Sequence, residues 1–109
     1  MADSLGVFEQ AVLLAIIRLR RDAYGRAIHK EVSARLGREV AVGAVQATLD
    51  RLERKGLLTS SLAEGTEIRG GRPKRFYVIE AMGRRALNNA RAVSENLWSG
   101  LAWPLKGRA

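Results

Sequence analysis

Apolar residues recur at helical spacing from the start of the chain. Phe8, Val12, Ala15 or Ile16, and Leu19 mark one face of a helix running from Val7 to about Arg20. Leu13, Leu14 and Ile17 widen that stripe, which fits either a central core helix or one that also packs on a partner. Asp22-Ala23-Tyr24-Gly25 breaks the pattern, with an aspartate suited to capping the next helix. Ala27, Ile28, Val32 and Leu36 then mark a second helix that stops at Gly37. A third, with Val45, Leu49 and Leu52 on one face, runs from about Val42 to Lys55 and stops at Gly56.

After Gly56 the period changes from that of a helix to that of a strand. Leu57–Leu62 reads as one strand and Lys74–Ile79, rich in aromatic and branched residues, as its antiparallel partner. The ten residues from Glu64 to Pro73 form the hairpin loop between them, with three glycines and a proline. A last helix is predicted from about Ala81 to Gly100, on Ala86, Ala90, Val93 and Leu97, and an apolar tail carries Trp98, Leu101, Trp103 and Leu105. The expected fold is mainly α with a small β-hairpin. Two short helices with a tight glycine-containing connection, followed at once by the hairpin, have the organisation of a winged helix-turn-helix. Residues 1–80 would form that unit and residues 81–109 a separate helix and tail.

Composition narrows the chemistry. The chain has 109 residues, no cysteine and a single histidine, His29. Disulfides, thiolate metal sites and thiol catalysis are excluded, and the commonest general base is nearly absent. His29 is expected to be an exposed helix residue, without companions to hold a metal. No catalytic, metal or cofactor site is therefore expected, and an enzyme is disfavoured. The longest apolar run, Ala11–Ile17, is far short of the roughly 20 residues that span a bilayer, and no basic signal-peptide segment opens the chain. A cytoplasmic protein is expected.

Charge points to a partner. Nineteen Lys and Arg against eleven Asp and Glu leave a net charge of +8. From Arg69 to Arg85 six basic residues face one acid, so +5 of that excess falls within 17 residues. Arg69, Arg72, Lys74 and Arg75 cluster around a Gly-Gly hairpin tip, whose backbone can approach another molecule closely. A membrane surface would call for an amphipathic helix with the charge along it, so a nucleic acid is the better partner. With Val45, Leu49 and Leu52 inward, the third helix turns Gly43, Ala47, Asp50, Arg51 and Arg54 outward, with Ala44 and Gln46 on the flanks. Such a face admits a major groove, where Gln46 could pair bidentately with adenine, Ala47 touch a thymine methyl and Arg51 reach guanine or phosphate. An ordinary solvated helix face would carry the same residue types.

Four blocks of sequence are recognisable. They are Phe8–Ile16, Asp22–Gly25, the run Gly43–Leu57 with its Thr-Leu-x-Arg-Leu-Glu-x-x-Gly-Leu core, and Gly-Gly-Arg-Pro-Lys-Arg-Phe-Tyr over 70–77. Together they resemble the PadR family of bacterial transcriptional regulators over about residues 5–90. The resemblance implies a homodimer on double-stranded DNA carrying an inverted repeat. The third helix would sit in the major groove, the wing on adjacent backbone or minor groove, and the first and last helices would build the interface. It also implies repression, relieved by a small molecule or stress signal. Tyr24 resembles a position near the DNA backbone, though a tyrosine packed at a helix start reads equally well. The chain departs from the family in carrying Gln46 where a tyrosine is usual. It also has Ala41 and Glu80 where Ser or Thr caps are common, each a poorer N-cap by roughly 1 kcal/mol.

Phe8, Val12, Val93, Leu97, Trp98 and Leu101 are the expected dimer contacts, with a flat-ligand pocket at Trp98 as the other reading of that segment. A winged-helix module that binds protein without reading DNA is the alternative function. The basic wing separates the two, since such a module has no need of it.

Overall fold

The computed structural model describes residues 4–63 and 73–107. Helix α1 spans Val7–Leu19. Gly6 at its start has no capping side chain, and Glu9 compensates by accepting the Gly6 amide proton at 3.0 Å. Val12, Leu13, Ala15 and Ile16 are buried while Val7 and Leu14 stay exposed, so the broad apolar stripe belongs mostly to the core. Val12 is fully buried, which removes it from the expected dimer contacts: it has no surface left for a second protein or a ligand.

A single 3-10 turn at Arg20–Asp22 leads to α2, Gly25–Leu36. Asp22 does not cap this helix. Its backbone carbonyl accepts from the Tyr24 amide, and Tyr24 takes the cap position without a side-chain hydrogen bond. Gly37 ends α2 at φ 71°, a left-handed conformation that side chains disfavour, and the Arg38 amide reaches back to the Ser33 carbonyl at 3.2 Å. His29 is half-buried, contrary to expectation, because its Nε2 donates to the Val40 carbonyl at 2.8 Å. Ser33 Oγ accepts from the Val40 amide at 3.2 Å. Both bonds pin the connection to the next helix.

That helix, α3, spans Val42–Arg54 and buries Val45, Thr48, Leu49 and Leu52. Ala41 caps it without any side-chain bond. Strands β1, Leu58–Ala63, and β2, Lys74–Ile79, pair antiparallel from Leu58↔Ile79 to Ala63↔Lys74. The first strand begins one residue later than predicted, because the Leu57 amide turns back to the Leu52 carbonyl. On its other side β2 meets the connector before α2: the Tyr77 amide donates to the Ala23 carbonyl at 2.9 Å, and Tyr24 bridges to Phe76. The hairpin is thereby stitched to the helix-turn-helix as a third edge.

Helix α4 spans Ala81–Trp98, two residues shorter than predicted, with Glu80 as a cap that makes no side-chain bond to the helix. The Glu80 carboxylate instead accepts from Thr59 Oγ1 at 3.0 Å. Gly83 is the buried residue of α4; Ala86, Leu87 and Ala90 are partly covered by the core, and everything from Arg91 to Lys106 is exposed. The core itself lies among α1, α2, α3 and the base of the hairpin, around the fully buried Leu13, Ile28, Leu49, Leu52 and Leu58. The radius of gyration is 16.5 Å, against about 13 Å for a compact domain near this length. The excess reflects α4 running away from the core. No helix among the described residues is long and apolar enough to cross a membrane.

Candidate nucleic-acid interface

Three elements meet beside the outward face of α3. Tyr24 and Gly25 come from the start of α2, Gln46 from α3, and Lys74 and Arg75 from β2; with Arg26 and Tyr77 they line a groove of about 380 Å³. The stitch between β2 and the Ala23 carbonyl is what brings the wing to this place. Of the residues singled out from sequence, Tyr24, Gln46, Lys74 and Arg75 thus converge. Gly43, Ala44 and Ala47 are exposed small residues on the same helix. Arg69 and Arg72 lie outside the described residues.

Tyr24, Gln46, Lys74 and Arg75 are each held by a neighbour. The Lys74 ammonium stands 4.0 Å from the centre of the Tyr24 ring, a cation–π contact, and the same ring meets Phe76 edge-on at 5.6 Å. Tyr24 is therefore both packed at a helix start and part of the groove wall. Arg75 Nη1 donates to Ser60 Oγ at 2.9 Å, whose proton goes to the Glu53 carboxylate at 2.8 Å. Gln46 Nε2 donates to Asp50 Oδ1 at 3.0 Å and to the Tyr77 hydroxyl at 3.4 Å.

Arg51 is a correction. The outward direction expected for it is not the one it takes: Nε donates to Glu9 Oε2 at 3.3 Å and Nη2 to Thr48 Oγ1 at 3.4 Å, which turns the guanidinium toward α1. Lys55 Nζ joins the same carboxylate at 3.7 Å. Burial pushes the Glu9 carboxyl up, but the Gly6 amide, the Arg51 hydrogen bond and the charges of Lys55 and Arg51 outweigh it and hold it below the usual carboxylate range. Arg51 ties α3 to α1.

Arg26, Asp50 and Tyr77 belong to the site and were not assigned to it from sequence. Asp50 had a signal, standing four residues after Gln46 on one helix face, where side chains touch. Tyr77 closes the recognisable 70–77 block, while Arg26 had no signal beyond its charge.

A second apolar region lies on α4. Val93 and Leu97 line an open groove of about 780 Å³ together with Leu5, Leu57, Met82 and Ala86. Leu97, Trp98, Leu101, Trp103 and Leu105 carry the exposure on to the tail, Leu97 being 74% and Trp103 78% exposed. Phe8 is half-buried against the core. Another groove, about 600 Å³, separates α1 from α4 between Leu14, Ile17 and Leu87. Among the described residues no cluster of His, Asp or Glu could hold a metal ion.

Known proteins share this fold. The model of the PadR-like family of transcriptional regulators matches residues 13–89, from the middle of α1 through the wing into α4. Among solved structures the chain is similar to RosR of H. salinarum, at 26% identity and TM-score 0.69 over 94% of this chain and 84% of that one. A PadR-like transcription factor from Bacteroides fragilis is 25% identical, TM-score 0.69, over 84% of each chain. A PadR family transcriptional regulator from Eggerthella lenta is 31% identical, TM-score 0.65, over 82% of this chain and 75% of its own. No protein of curated function matches the sequence. With a winged-helix architecture of four helices and one hairpin, and a family match over most of its length, the chain belongs to the PadR-like family of transcriptional regulators, DNA-binding proteins that are in general not enzymes.

Proposed function

We propose that this chain is one protomer of a cytoplasmic homodimeric repressor that binds an inverted-repeat operator and is released by a small molecule or stress signal. The observation that carries the reading is the convergence of Tyr24, Gln46, Lys74 and Arg75 in one groove beside the small-residue face of α3. A major groove accepts such a helix with its N-terminal residues toward the base edges, and the cations of β2 would then meet the flanking phosphates. Residues 1–80 would be the DNA-binding unit and residues 81–109 the pairing segment.

Pairing is supported by exposure. Val93, Leu97, Trp98 and Leu101 lie uncovered along the C-terminal part of α4 and the tail, where every residue from Arg91 to Gly107 is exposed. A monomer that left them in water would present an apolar patch of the kind that marks an interface. The two grooves flanking α4 fall in the size range of small-molecule sites, which supports an effector bound near the interface.

Selection of bound fragments from random duplex DNA tests the reading and yields the operator. Affinity should fall by about 0.9 log units per log unit of salt for each phosphate neutralised. A selection that returns no palindrome, or binding that stays flat between about 50 and 200 mM salt, overturns it.

A further inference from the structure

We infer that Gln46 is preset as a hydrogen-bond acceptor, so that α3 reads an amino-bearing base, adenine or cytosine, through Oε1 alone. The inference rests on the DNA-binding reading above and adds the chemistry of one contact. A glutamine free in solution reads adenine with two bonds, Oε1 accepting from N6 and Nε2 donating to N7. In this chain the donor half is spent.

Asp50 sets the orientation. Its carboxylate only accepts, so the part of the Gln46 amide that faces it at 3.0 Å must be Nε2. The other Nε2 proton points to the Tyr77 hydroxyl at 3.4 Å. That hydroxyl is a fixed post: Tyr77 is 3% exposed, paired with Ser60 across the hairpin and bonded through its amide to Ala23. Gln46 itself is exposed, and Oε1 takes no hydrogen bond from any described residue. Gly43, one turn earlier, has open space where a side chain would stand.

The consequence is a selective edge. In the major groove adenine offers the N6 amino group and cytosine the N4 amino group, whereas guanine and thymine offer acceptors at the corresponding position. An amide oxygen that can only accept favours the first pair of bases and repels the second. Sequence alone pointed to bidentate recognition of adenine; the Asp50–Gln46–Tyr77 arrangement replaces it with recognition of an amino group.

The test uses the full-length protein and the operator obtained by selection. Gln46→Ala first locates the position at which base preference relaxes. Duplexes then carry adenine, 7-deaza-adenine or purine there, or cytosine and 2-pyrimidinone if cytosine is selected. Removing the amino group should weaken binding about tenfold, the scale of one lost hydrogen bond. Removing N7 should change it by less than about twofold, well below that scale. Asp50→Ala, an exposed change on a helix, frees Nε2 and should make binding sensitive to 7-deaza-adenine. No relaxed position, no loss on removing the amino group, or equal losses from the 7-deaza and purine duplexes overturns the inference while DNA binding stands. Failure of the unmodified duplex to bind overturns both.

Discussion

Gly83→Ala sets two physical effects of opposite sign against each other. Gly83 lies in the first turn of α4, where alanine is favoured over glycine by up to about 1 kcal/mol if nothing else is touched. But a Cβ on Gly83 would fall on the Leu57 carbonyl oxygen and, at 2.8 Å, on Ile79 Cγ1. The oxygen is backbone, fixed by the hydrogen bond it accepts from Glu80 at 3.0 Å, so it cannot swing aside as a side-chain tip would. The start of α4 must lift instead, weakening that bond and opening the contact with Ile79. Overpacking of this kind costs about 1–3 kcal/mol, and a buried amide deprived of its acceptor about as much again. Subtracting the helix preference leaves a net loss of about 1–5 kcal/mol. At about 4–8 °C per kcal/mol, the midpoint of thermal unfolding should fall by at least about 4 °C, measured by circular dichroism at a fixed protein concentration. Gly43→Ala, where the added carbon meets nothing, is the control and should be neutral or slightly stabilising. A Gly83→Ala protein as stable as the wild type would refute the close approach of α4 to the turn before β1.

Charge, the interface and the core each carry an expectation of their own. Glu9→Gln should cost about 1 kcal/mol near neutral pH, the scale of a partly exposed ion pair. The Glu9 carboxyl is held below its unfolded value, so its contribution is present above the unfolded pKa and is lost as pH falls through the folded one. Urea titrations between about pH 7 and 3 should therefore show a shallower acid decline in Glu9→Gln than in the wild type, and parallel curves would discount the ion pair. Replacing Lys74 and Arg75 together by alanine should weaken binding to all duplexes alike and lower the salt slope by up to about two contacts' worth; a change confined to one base position would contradict their assignment to the backbone. Trp98→Ser with Val93→Asp should sediment as a folded monomer, and a dimer that persists would move the interface off α4. Leu49→Ala, at a fully buried site, should cost about 2–5 kcal/mol by urea unfolding.

What the sequence makes legible here is largely local. The helical period places α2 and α3 to within a residue or two, glycines 37 and 56 stop them, and β2 is read residue for residue. Lys74 and Arg75 stood out because basic residues cluster along one stretch of chain, and Gln46 because it stands among small residues on one helix. Contacts that join distant segments were not legible. Gln46 and Tyr77 are 31 residues apart and Glu9 and Arg51 are 42, and no periodicity carries such a pairing. Arg51 therefore read as outward when an acid on another helix held it. Val12 was misread for a related reason: an apolar stripe states that a face must be covered, without stating what covers it. His29 took its burial from the carbonyl of Val40, a backbone group invisible to any reading of side chains.

Tyr77 bears on how such a regulator changes over generations. Its ring fills the core, its amide holds the connector before α2, and its hydroxyl receives Gln46. Three demands on one residue leave little latitude: phenylalanine would keep the packing and the amide but surrender the hydroxyl. Gln46 and Asp50 are exposed, and neither is needed to fill the core. Exchange at 46 and 50 is therefore the change this arrangement can absorb, with the tyrosine as the constant against which each new pair is judged.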